Sequence, residues 1–466
     1  MIAFGENLGD ELHRVVKLAL DSGEAASLSD AIALFKGYRL AIQVGPDVAN
    51  SPSLQAAVLT AVNTGRRCFL GGVEVIGALD VPLLVPWPAC RTLGEAISQL
   101  EGVVCGVLSA DIPYIQIGDA PNTSGSAQRR GFAVRATFEG WSGGVVPLDG
   151  GHCLAERQEC TPAGVLAGAL AVSEAFQFVR GGNSAAGHRA VGLSLWRPEP
   201  EVSWLSSEAV GPPLDLLPSR LWLIGLGHLG QAYLWTIGLL PYAEPKTVEL
   251  VLQDFDTLTR ANDSTSPLTS LGLIGQKKAR AMAAWCETRG FRPVITERRF
   301  AANFRVAGDE PQIAVVGVDN ALARGALEDV GFARVIEAGL GKGTSEYLAF
   351  QLHTFPGPQT ARVRWGSGAI EIESPLRLLT NPAYAALADD GLDECGLTLL
   401  AGRSVGASFV GTVVGALVVA EAMRMTIGGP EYSLIDGSLR TPERRSAIVN
   451  TSVSTAFNPG YTHAKR

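Results

Sequence analysis

The 466-residue sequence has no CxxC pair among its seven cysteines and no HxxxH pair among its six histidines. A thiolate zinc site is therefore not expected, and the odd cysteine count argues against a disulfide framework. There is no basic run. Lys and Arg number 38 against 46 Asp and Glu, a formal net charge of −8, which makes nonspecific binding to nucleic acid or an anionic membrane a poor expectation. The start, MIAFGENLGDELHR, lacks the basic and apolar regions of a signal peptide, so the chain reads as cytoplasmic and reduced. Charged residues make up only 18 % of the chain against 47 % hydrophobic, which rules out wholesale disorder. No long membrane run is evident. The uncharged stretch from Ser404 to Ala420 is closed by Glu421, is short of the roughly 20 residues a span needs, and is rich in Gly, Ala and Ser. It predicts a buried, closely packed helix.

What is present is a repeat. GALAVSEAFQFVRGG at 168–182 matches GALVVAEAMRMTIGG at 415–429, with Glu at the seventh position and paired glycines at the end of each. A strand-like segment follows both, AVGLSLW at 190–196 and YSLIDGS at 432–438. The fronts of the halves correspond as well. The strands YRLAIQV (38–44) and SRLWLI (219–224) lead into helical LQAAVLTAV (54–62) and QAYLWTIGLL (231–240), then into strands RCFLGGVEV (67–75) and TVELVLQDFD (247–256). This β-α-β order implies parallel sheets with helical crossovers. The proline-rich stretch between the halves reads as a linker at 201–218, separating residues 1–200 from 219–466. The Gly/Ser-rich stretch at 117–131 reads as a surface loop.

Residues 221–230, LWLIGLGHLG, place Gly225, Gly227 and Gly230 as GxGxxG between a strand and a helix, a pattern suited to a phosphate-binding turn. Alone it cannot separate NAD, FAD and ATP. The next strand ends in Asp254-Phe255-Asp256, and Asn262, Lys278 (in LGLIGQKKARAM) and Asp319 (ending IAVVGVD) follow. Two carboxylates with an Asn, a Lys and a further Asp suit ribose and magnesium-phosphate work better than a dinucleotide.

That constellation over about 215–440 resembles the adenylation domain of the ubiquitin-activating (E1), ThiF and MoeB-like enzymes, including the bacterial E1-like proteins of Bil-type anti-phage conjugation operons. The resemblance implies an α/β fold of two Rossmann-like adenylation domains, one inactive and one active. It implies ATP and Mg²⁺ as cofactors, and as partners a ubiquitin-like protein with a C-terminal glycine and an E2-like conjugating protein. It assigns Gly225, Gly227 and Gly230 to the phosphate turn, Asp254 to the ribose, with Asp256 beside it, Asn262 and Lys278 to the phosphates, and Asp319 to Mg²⁺. Arg324 lies where the family often carries an arginine. Thr265 departs from the pattern, because the family usually has Arg three residues after the Asn. Arg260, two residues before Asn262, is the candidate replacement, and Arg14 is the candidate for the arginine that such enzymes often take from the other domain.

In the first half the matching turn is Gly45-Pro46-Asp47-Val48-Ala49-Asn50, with Asp47 and Asn50 where the second and third glycines would stand. A carboxylate there repels phosphate. The two halves thus read as an intrachain pseudo-dimer, with a further homodimer left open. Among the cysteines, Cys395 lies in an acidic loop at about 385–404, where the resemblance places the thioester cysteine. Asp389, Asp390, Asp393 and Glu394 oppose a resting thiolate there unless a helix N-terminus or a cation offsets them. Cys68 and Cys105 read as core strand residues and Cys286 as helix core. Three alternatives stay open: an adenylyltransferase for a sulfur-carrier protein without E2 transfer, a non-catalytic scaffold, and an NAD-linked oxidoreductase.

Overall fold

The computed structural model describes residues 8–120, 131–366, 380–451 and 456–465. The surface-loop expectation at 117–131 falls largely outside them. Among the described residues the strands form two large sheets with one connectivity. In the first half β1 (Leu40–Val44), β2 (Val73–Gly77), β3 (Val103–Val104), β4 (Tyr114–Ile117), β5 (Ala133–Glu139), β6 (Ser142–Pro147) and β7 (Val191–Ser194) lie in the order β3-β2-β1-β4-β5-β6-β7. A short β8 (Leu216–Pro218) opens the second half. There β9 (Arg220–Ile224), β10 (Glu249–Gln253), β11 (Arg292–Thr296), β12 (Ile313–Val316), β13 (Arg334–Leu340), β14 (Ala349–Phe355), β15 (Tyr432–Ser438) and β16 (Ser446–Val449) run β11-β10-β9-β12-β13-β14-β15-β16. The chain closes on β17 (Tyr461–His463), paired with β8. In both sheets the first five strands are parallel and the rest antiparallel. The expected α/β class and the sequence repeat are thus the same fact seen at two levels.

The halves meet through helices. Pro52–Gly65 packs on Thr161–Val179 in the first half, His228–Gly238 on Ser408–Ile427 in the second, and the two long helices pack on each other. Small residues allow this. A Cβ on Gly164 would sit 2.0 Å from the Ser53 carbonyl oxygen, and one on Gly415 would sit 2.7 Å from that of Ala232. Trp235 crosses the seam, its indole N–H donating to Thr60 Oγ1 at 2.9 Å. The two long helices pass the length and composition test for a membrane span, but 89 % of each apolar window is buried inside the fold. From Ser408 to Ala420 the uncharged stretch is buried helix, as expected, while residues 404–407 precede the helix and Ser404 is exposed.

The repeated glutamate is a structural device. Glu174 accepts the Gly187 N–H at 3.0 Å, and Glu421 accepts the Tyr432 N–H at 2.9 Å while pairing with Arg424. Each carboxylate satisfies backbone after its helix, and burial raises the pKa of both. Two sequence expectations need correction. The first-half strand after the helix begins at Val73 rather than 67, because residues 66–72 turn sharply and Gly72 takes φ +114°. Cys68 does lie in the core, but in that turn rather than in a strand, and Cys105 is half-buried just beyond the edge strand β3.

Candidate functional site

The site residues gather where β9, β10 and β12 end. Gly225 turns the chain after β9 with φ +85° and lies so close to Gly317–Val318 that a Cβ would be 3.0 Å from the Gly317 carbonyl oxygen. A Cβ on Gly230 would lie 1.9 Å from the Gly225 carbonyl oxygen, so the helix can approach its strand only without one. Above Gly227 there is open space, with no atom within 4 Å of where a Cβ would stand. This is the cradle that an approaching phosphate needs. Asp254 Oδ2 accepts the Leu226 N–H at 2.7 Å and Oδ1 accepts the Asp256 N–H at 2.8 Å, which ties the turn to the end of β10.

Lys278 is the first residue of helix Lys278–Thr288, and its amide donates to the Asp256 carbonyl at 3.0 Å. Its side chain is mostly covered, and its ammonium lies 3.2 Å from Asp256 Oδ2. Lys277, by contrast, is exposed and spends its ammonium on the Phe255 carbonyl at 2.7 Å. Asn262 Oδ1 accepts from the Thr259 amide at 2.9 Å, closing a capping box on the short helix Arg260–Asp263 and leaving the side-chain NH₂ for another partner. Asp319 is exposed just past β12, and the adjacent Asn320 caps helix Ala321–Gly325.

Arg324 does not face open space. Its Nε donates to the Val318 carbonyl at 2.8 Å and lies 3.0 Å from Glu337 Oε1, with the guanidinium 4.7 Å from the Trp365 ring centroid. It clamps the strand end that carries Asp319. Glu337 also meets His353 Nδ1 at 3.1 Å. Nothing in the local sequence marked that buried group, because its members come from three separate strands and helices. Arg260 is exposed. The amide of Arg14 donates to Ser264 Oγ at 3.2 Å, and burial, then the nearby Arg403, lowers its guanidinium pKa to about 10. Thr265 is buried. These residues fit a magnesium nucleotide: a glycine cradle, a positioned ammonium and an exposed carboxylate. A cavity of about 330 Å³ between Trp87 and Arg289 lies elsewhere, at the far end of the Lys278–Thr288 helix.

In the first half the equivalent end of the sheet is filled by its own side chains. Both oxygens of Asp47 accept the Asp119 N–H, at 2.9 and 3.0 Å, and a Cβ on Gly118 would lie 2.3 Å from Asp47 Oδ1. Arg135 pairs with Asp119 and Glu156, each at 3.2 Å.

Cys395 is exposed, but not in a loop as expected. Asn381 caps helix Pro382–Asp389 and Asp393 caps helix Glu394–Ala401, so the cysteine stands in the first turn of a helix. Among the described residues no hydrogen bond or ion pair joins it to the glycine turn or Lys278. Its helix reaches the site indirectly: Leu8–Glu11 packs on both Glu394–Ala401 and the Asn262 helix, and Asp10 pairs with Arg403 at 2.6 Å.

Fold and site define a duplicated α/β protein in which only one half keeps an intact glycine turn. Family models for the BilD C-terminal domain and the BilD N-terminal domain match residues 217–429 and 39–195. A protein of Collimonas sp. (strain OK412), "Bacterial E1-like protein BilD", is 40 % identical over 452 residues, covering 97 % of this chain and 95 % of that one. The chain belongs to the BilD family of bacterial E1-like proteins. Among solved structures, E. coli MccB aligns at 13 % identity and TM-score 0.33, covering 72 % of this chain and 96 % of that one. E. coli tRNA N6-threonylcarbamoyladenosine dehydratase, TcdA, in complex with ATP, aligns at 14 % identity and TM-score 0.30, covering 45 % and 86 %. Scores of that size carry no inference about activity.

Proposed function

We propose that the chain activates the C-terminal carboxylate of a ubiquitin-like protein with MgATP. The observation that carries this reading is the Lys278 ammonium, held 3.2 Å from Asp256 beside the one intact glycine turn. Membership of an E1-like family supports it.

The Gly225–Gly230 turn receives the phosphates, Asp254 the ribose hydroxyls, and Asn262 and Lys278 the charge that grows on the α-phosphate. Asp319 would supply hard oxygen ligands for Mg²⁺, whose charge would neutralise that of the phosphates. A carboxylate oxygen of the partner attacks the α-phosphorus, the bond to the bridging oxygen breaks, and pyrophosphate leaves. Cys395, as thiolate after losing its proton to solvent, then attacks the acyl carbon. AMP departs and a thioester remains for an E2-like acceptor. Cys395 stands in the first turn of helix Glu394–Ala401, where the Asp393 carboxylate accepts the Gly396 amide at 2.7 Å.

Exchange of labelled pyrophosphate into ATP, run with a ubiquitin-like protein ending in glycine, tests the first step. Lys278→Ala is expected to lower it by roughly a hundredfold or more. Undiminished exchange in that variant would refute the assignment of the site.

A further inference from the structure

We infer that the first half, though its own turn is filled, positions the phosphate side of the second-half site through Arg66 and Arg67. This rests on the adenylation reading. Arg66 follows helix Pro52–Gly65 and reaches across the seam to Asp263, the residue after Asn262. Its two terminal nitrogens lie 2.7 and 3.4 Å from the two Asp263 oxygens, a bidentate pair. Arg67 lies 3.6 Å from the same carboxylate and donates to the Thr269 carbonyl at 2.8 Å. Asn63 donates to the Pro267 carbonyl at 3.0 Å. One turn of the first half thus grips both ends of segment 263–269.

The segment leads straight to the nucleotide turn. Thr269 Oγ1 and the Leu268 amide both donate to Gln231 Oε1, at 3.0 and 3.1 Å, and Gln231 Nε2 donates to the Leu226 carbonyl at 3.1 Å. Leu226 is the residue whose amide Asp254 holds. An unbroken hydrogen-bonded path therefore runs from Arg66 and Arg67 to the glycine turn. A helix of four residues cannot fix its own orientation, because a single turn is not stable alone. The orientation of Asn262 is set from outside. His13 also faces Asp263, but burial holds its imidazole neutral, with a pKa of about 4, so the cations on this carboxylate are the two arginines. The exposed Glu101 lies 3.4 Å from Arg66 at the rim.

The test is calorimetric titration of the full chain with MgATP, comparing wild type, Arg66→Ala, Asp263→Asn, the charge swap Arg66→Asp with Asp263→Arg, and Lys278→Ala. Arg66→Ala and Asp263→Asn are expected to raise Kd about tenfold, with the swap recovering most of that loss. Near-ultraviolet circular dichroism checks that each variant is folded, and Asp263→Asn carries the test if Arg66→Ala is not. Folded variants with wild-type Kd would overturn the inference, as would a swap no better than either single change. If Lys278→Ala weakens binding while these variants do not, only this inference falls. If Lys278→Ala also binds like wild type, the adenylation reading fails and takes this inference with it.

Discussion

Cys395 and Lys278 are assigned to successive steps, and each can be removed without touching the other. Cys395→Ala is expected to leave MgATP binding and pyrophosphate exchange within about twofold of wild type, because the sulfur sits on a separate helix and contributes nothing to phosphate charge. The same variant is expected to form no reductant-sensitive adduct with the ubiquitin-like partner on a denaturing gel. An adduct that survives the substitution would move the thioester to another cysteine, and Cys68, Cys160 and Cys286 are poor substitutes. Each is buried, and burial pushes its thiol pKa up to about 12. At this scale spacing along one chain segment was enough to place the glycine turn, Asp254, Asp256 and Asp319 just past the ends of their strands. It could not show Arg66 or Arg67. Two adjacent arginines after a helix look like any solvated pair, and only the packing of the halves turns them onto Asp263.

Helices and strands add constraints that no single residue reveals. His228 opens the helix after the glycine turn and is wedged against Gly411, where a Cβ would meet its Nε2 at 2.3 Å. Burial lowers the pKa of both His228 and His13 from the ordinary 6.5 to about 4. The unfolded chain takes up these protons below pH 6.5 while the folded chain does not. The stability they allow is complete above 6.5, falls between about 6.5 and about 4, and is constant below that. Thermal melting from pH 7.5 to 4.5 is expected to show a progressive fall, and replacing His228 by Gln is expected to flatten part of it. The parallel order of the sheets and the buried character of Ser408–Ile427 were legible because hydrophobic period and the β-α-β sequence report them directly. The helices around Cys395 were not. Their caps, Asn381 and Asp393, lie among residues whose acidic composition reads equally as a loop.

At the scale of the molecule the two halves share one core, which runs from Leu8 through Val172 and Trp235 to Ala464. The four seam helices carry little polar surface of their own. Thr161–Val179 and Ser408–Ile427 are buried along nearly their whole length, so neither half can present that face to water without large loss. Gly164→Ala is expected to cost about 1–3 kcal/mol in a denaturant titration, because a Cβ there would lie 2.0 Å from the Ser53 carbonyl, a backbone atom that cannot swing aside. Residues 217–466 expressed alone are expected to aggregate or self-associate. They are also expected to bind MgATP more weakly than the full chain even where soluble, since Asp263 and Thr269 lose their anchors in the first half. Size-exclusion chromatography with light scattering checks the first outcome and calorimetry the second. A monomeric half with full affinity would show that the seam serves assembly alone. The reverse result would explain why a half whose own turn is filled is retained: it supplies the wall against which the other half's short Asn262 helix is set.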